Sequence, residues 1–206
     1  MNWNFENAAP VIGSITEGNA WDGEKMLYSN IAMNRILSYD PKTQNVAVWR
    51  DNTQGTNGLN FDSKGNLFGC SGNGRKIARF DPNGDMTTIV DRLDGRRINS
   101  PNDLAITPSG AIYFSDRVGD VEPSVGIDHS SIISAEPQED GSYKAIRRTF
   151  DTTMPNGLLF SKDYKTLYVA QSDYRANEKR ELRAYPVKHD GSLGTYEVLH
   201  LSLIHI

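Results

Sequence analysis

Four stretches of this chain repeat one alternation of apolar and polar positions. They are EGNAWDGEKMLYSN from Glu17, NGLNFDSKGNLFGCS from Asn57, NDLAITPSGAIYFSD from Asn102 and NGLLFSKDYKTLYVAQS from Asn156. Each opens on an acid or amide, runs through a short apolar strand, breaks at a polar turn and returns as a second strand. The opening residues stand 40, 45 and 54 positions apart. A second pattern keeps the same order, a strand end, a proline turn and a returning strand, at Pro41, Pro82, Pro137 and Pro186. Proline suits such turns because its dihedral is fixed and it cannot donate to a central ladder. Each unit therefore predicts four short strands rich in Val, Ile, Leu, Tyr and Phe, and no long amphipathic helix interrupts them. Four-stranded units at this interval predict an all-β fold of the β-propeller type, with an all-β sandwich as the alternative. Two patterns holding register across all four units favour the propeller. The longest loops are expected over Arg117 to Asp128 and Asp173 to Arg180.

Composition changes this picture little. The chain has 206 residues, 37% of them hydrophobic and 23% charged, enough for one domain with a sizeable core. A net charge of −4 offers no basic field for nucleic acid. No apolar run reaches the roughly 20 residues of a membrane-spanning helix. One cysteine, Cys70, precludes an internal disulfide framework. With no secretory pattern in MNWNFENAAP, a cytoplasmic setting is expected. Residues 201–206, LSLIHI, break the periodic pattern and can be back-translated into a transposon-end sequencing adaptor. They are set aside as a non-native tail, leaving 1–200 as a partial propeller domain and predicting that the chain is a fragment.

The candidate chemistry lies where the repeats begin. The first strand of a propeller blade lines the central channel, so Glu17, Asn57, Asn102 and Asn156 are expected near the axis at one mouth. One carboxylate and three amides form a ring of hard oxygen donors. Calcium fits such a mixed set best; magnesium and manganese are alternatives, and zinc is less suited because it prefers nitrogen or sulfur. A cation there could polarise a carbonyl, staple the blades together, or be absent altogether. The other candidates read as structural. His129, His189, His200 and His205 are scattered, SGNGRK from Ser71 is a hairpin turn, and Ser115-Asp116 has no histidine partner for a triad. Trp3, Trp21 and Trp49 are packing residues, with Trp21 expected between blades near the channel.

TEGNAWDGEKMLYSNI, NGLNFDSKGNLFGCSGNGRKIARF, DGRRINSPNDLAITPSGAIYFSD and MPNGLLFSKDYKTLYVAQSD resemble, in order, four blades of the senescence-marker-protein/gluconolactonase family. NSPNDL with GAIYFSD is the most specific piece, nearest to the gluconolactonases. The resemblance implies a six-bladed propeller, about four blades of which are present here. It also implies a divalent cation in the channel, commonly calcium, and hydrolysis of a sugar lactone. By position it assigns Glu17, Asn102 and Asn156 to the metal, and Asn102, Asn57, Ser100 and Asp120 to the substrate. There are departures. Asn19 replaces the usual proline of the first motif, and Gly72 stands near where many gluconolactonases carry a histidine. The resemblance also implies a fifth-blade aspartate, ligand and general base, that would lie beyond His200, so the chain itself is expected to be inactive. A non-catalytic calcium- or protein-binding propeller is the alternative reading.

Overall fold

The computed structural model describes residues 15–82, 84–118, 126–173 and 180–201. Within them the repeats fold as expected, into four antiparallel sheets of four strands each, in simple up-and-down order. The first sheet holds β1 (Thr16–Trp21), β2 (Met26–Asn30), β3 (Arg35–Asp40) and β4 (Asn45–Asp51). The second holds β5 (Thr56–Phe61), β6 (Leu67–Ser71), β7 (Lys76–Phe80) and β8 (Met86–Val90). A small hairpin, β9 (Arg92–Leu93) and β10 (Arg96–Arg97), precedes the third sheet of β11 (Ser100–Ile106), β12 (Ile112–Arg117), β13 (Ser131–Pro137) and β14 (Tyr143–Arg147). The fourth comprises β15 (Pro155–Phe160), β16 (Thr166–Ser172), β17 (Arg180–Pro186) and β18 (Glu197–Leu201). The only helix among the described residues is a single 3-10 turn, Ile31–Met33. Among the described residues no helix is long and apolar enough to cross a membrane.

Turn chemistry accounts for the tight connections. Asp22, Asp62 and Asp163 each accept backbone N–H groups two to four residues on, at 2.6–3.2 Å, closing the turn between the first two strands of their sheets. Short acidic side chains do this because they mimic the backbone carbonyl of a turn. SGNGRK is a hairpin turn as predicted, with the Arg75 N–H donating to the Gly72 carbonyl. Of the loops expected over Arg117 to Asp128 and Asp173 to Arg180, residues 119–125 (Asp120 among them) and 174–179 lie outside the described residues, as do Trp3 and residues 202–206. Strand β18 runs one residue into the tail set aside above.

Alternation along the strands explains the packing. Ala20, Leu27 and Ile36 of the first sheet meet Leu59, Leu67 and Phe80 of the second. The equivalent positions of the second sheet, including Phe68, Cys70 and Ile77, meet Leu104, Ile112 and Phe114 of the third. Ala105, Tyr113 and Ile132 then meet Leu158, Phe160 and Leu167 of the fourth. Three inter-sheet cores are thus built from the same positions, each large aliphatic or Phe side chain contributing about 1.5–3 kcal/mol on burial. Ile77, fully buried in the second of these cores, gives a simple check. Ile77→Val should cost about 1 kcal/mol, read as a lower urea midpoint with unchanged slope.

The two end faces stay open among the described residues. Leu159, Tyr168 and Leu182 of the fourth sheet occupy the positions that Ala105, Tyr113 and Ile132 occupy in the third. Leu159 is nevertheless 66% exposed. Trp21 occupies the position of Phe61, Ile106 and Phe160, which face the preceding sheet. Among the described residues no sheet precedes the first, and Trp21 is 50% exposed. Trp49 does pack, edge-on to Phe80 at 6.2 Å.

Candidate cation-binding site

The first strands β1, β5, β11 and β15 are successive neighbours around the axis. All four slip register within one residue of the same place, between Glu17 and Ala20, Thr56 and Leu59, Pro101 and Leu104, and Pro155 and Leu158, with Glu17 itself still paired to Ser29. A β-bulge leaves residues unpaired within its own ladder and re-aims their side chains. The repeat-opening residues thus lie inside their strands at the bulges, not before the strands as the sequence pattern implied. Glycines make this crowding possible. A Cβ on Gly18 would stand 2.1 Å from the Asn57 carbonyl oxygen, and one on Gly58 would stand 2.5 Å from Asp103 Oδ1. Gly18 also has φ +62°, where a side chain is strained.

Three of the predicted residues come together. Glu17, Asn57 and Asn156 line one polar cavity of about 590 Å³ with Asp103. Asn102 lies beside it, 9% exposed, and its Oδ1 is buried without a hydrogen-bond partner. Ser100 does not join them. Its Oγ sits against Gly72, and its N–H donates to Asp116.

Asp103 was not singled out from the sequence, although a signal was present. The residue after each repeat-opening position is Gly18, Gly58, Asp103 and Gly157, so an acid stands where the pattern has glycine. Its Oδ2 accepts the Leu158 N–H at 2.8 Å. Burial pushes its carboxyl above the usual range, against the pull of the Leu158 and Leu104 N–H groups, and the charge of Glu17 pushes it further up. A cation beside Asp103 would offset that cost by favouring its charged form. Asp116 belongs to a separate buried cluster. It accepts the Asn99 N–H on both oxygens, at 3.0 and 2.9 Å. Burial carries its carboxyl up to about 7 despite those bonds and Arg75.

No group of three or more His, Cys, Asp or Glu gathers among the described residues, so a cation here would be held mainly by amide oxygens. The donor set fits a hard ion. Glu17 and Asp103 bring charge, Asn57 and Asn156 bring neutral oxygens, and the orphaned Asn102 Oδ1 is an acceptor in need of a partner.

Successive antiparallel sheets packed face to face about an axis, with bulged first strands meeting at a polar cavity, define a β-propeller protein. Residues 15–201 match the family described as SMP-30/Gluconolactonase/LRE-like region, and the chain belongs to that family. It is 27% identical over 184 residues to a gluconolactonase of Zymomonas mobilis, covering 77% of this chain. It spans about half the length of that relative, 49%. Among solved structures it resembles a gluconolactonase from Xanthomonas campestris, at 31% identity and a TM-score of 0.78, covering 90% of this chain and 62% of that one. A calcium-binding protein of Agrobacterium tumefaciens, regucalcin, shares the fold at 20% identity and a TM-score of 0.66, covering 93% of this chain and 60% of that one.

Proposed function

We propose that this chain supplies the cation-holding part of a lactonase that opens a sugar lactone such as an aldonolactone, with calcium as the preferred ion. The observation that carries the reading is the meeting of Glu17, Asn57, Asn156 and Asp103 around one cavity, beside the unpartnered Asn102 oxygen. Family membership and the gluconolactonase relatives support the reaction class. Glu17, Asn102 and Asn156 would hold the ion. When bound, the ion supplies a positive charge that polarises a lactone carbonyl and offsets the negative charge growing on its oxygen. Glu17 brings the compensating charge. Asn57 and Asn102 offer amide groups to sugar hydroxyls, which take both donors and acceptors. The buried floor of Leu59, Leu104 and Leu158 excludes water below the ion and strengthens each polar contact above it.

None of these residues is assigned the role of general base, so the chain is expected to bind the ion without accelerating lactone opening. Isothermal titration of the 206-residue chain with calcium chloride should give one saturable site, reversed by EDTA. Acid release from D-glucono-1,5-lactone, followed in a pH-stat, should match the buffer rate. Absence of saturable calcium binding would sink the cation site. A fast, EDTA-sensitive opening of the lactone would show that a base has gone unassigned.

A further inference from the structure

A bulge frees backbone groups that its own sheet cannot satisfy, so something else must fix their direction. In β15 the groups in question are the Asn156 carbonyl and the Leu158 N–H, on either side of Gly157. Both are taken by the neighbouring third sheet. Ser115 Oγ donates to the Asn156 carbonyl at 2.8 Å, and Asp103 Oδ2 accepts from the Leu158 N–H at 2.8 Å. The two clamping residues are themselves joined, because the Asp103 N–H donates to Ser115 Oγ at 3.1 Å. Ser115 is fully buried and cannot rotate into solvent.

The device recurs two interfaces earlier. Ser29, at the position in β2 that Ser115 holds in β12, donates to the Asn57 carbonyl of the following sheet. At these two interfaces a hydroxyl on the second strand of one sheet holds the bulged asparagine of the next, whereas Cys70 stands at that position in β6.

We infer that Ser115 and Asp103 form a clamp that sets the direction of Asn156, making them positioning residues for the cation site, an inference that rests on that site as proposed above. The side-chain oxygen of Asn156 is aimed by its backbone, and the backbone is held at both ends of the bulge by one partner sheet. Residues that orient a metal ligand typically change metal affinity by about 10–100-fold when removed. Ser115 carries no charge, so its effect separates positioning from electrostatic attraction. Asp103 can be divided in the same way, because an asparagine keeps an oxygen for the Leu158 N–H while losing the charge.

Calcium chloride is titrated into the full chain as wild type, Ser115→Ala and Ser115→Thr. Ser115→Ala should bind about 10–100-fold more weakly. Ser115→Thr, which restores the hydroxyl, should recover to within a few-fold of wild type. Equal affinity of wild type and Ser115→Ala would overturn the clamp. A metal-independent arm measures hydrogen exchange of the Leu158 amide in EDTA. It should stay slow in wild type and Asp103→Asn and speed up at least tenfold in Asp103→Ala. Equal rates in all three would also overturn it. Should wild type bind no calcium, the cation reading fails and the exchange result alone decides the clamp.

Discussion

Glu17→Gln should remove most of the calcium-dependent gain in melting temperature. An ion at 100 times its dissociation constant stabilises the folded state by about 2.7 kcal/mol, which for a chain of this size is roughly 5–10 °C. Glu17 and Asp103 are the two acidic side chains lining the cavity, but their situations differ. Asp103 is engaged by the Leu158 N–H, whereas Glu17 is exposed at the rim, where its carboxylate can reach an ion. Gln keeps the length and one oxygen while losing the charge, so the packing of the hub is preserved. The measurement is a thermal-shift series in calcium and in EDTA for both proteins. In EDTA they should melt within a degree or two of each other. A full calcium gain in the Gln variant would show that the ion sits elsewhere.

Asp116→Asn should raise stability at pH 8 and leave it nearly unchanged at pH 4. The sign follows from where the proton sits. The carboxyl has an ordinary value of 3.8 and is carried to about 7 in the fold. Between those values the folded chain keeps a proton that the unfolded chain has lost, so stability falls as pH rises. The contribution is complete below about pH 4 and gone above about pH 7, a span of up to about 4 kcal/mol. Asn does not titrate, and its oxygen can still accept the Asn99 N–H. Urea midpoints at pH 4, 6 and 8 would show the wild-type curve descending and the variant curve flatter. Some slope should persist in both, because Asp103 is shifted in the same direction by burial. Parallel curves would mean that Asp116 is ionised in the folded chain, held by Arg75 and the backbone.

Much of this was legible beforehand, because each sheet is a local object. Strand alternation, Asp-led turns and the spaced prolines act over a few residues, so four up-and-down sheets could be read from the repeat. The same repeat placed Glu17, Asn57 and Asn156 at one mouth, since equivalent positions of successive sheets face a common axis. Trp21 shows the limit, because its neighbour depends on which sheet precedes it and not on its own strand.

The contents of the hub could not be read in this way. Ser115 reaches the Asn156 carbonyl across 41 residues, and Asp103 reaches the Leu158 N–H across 55. The Asp103 link leaves no periodic trace, and the Ser115 link recurs only at Ser29, since each depends on how closely two sheets approach and on glycines that let them. Chain order therefore determined the sheets and the residues that open them. Only the packing of one sheet on the next decided that an aspartate beside Asn102 would be half-buried in the cavity wall, and that Asn102 would keep an oxygen with nothing to bind.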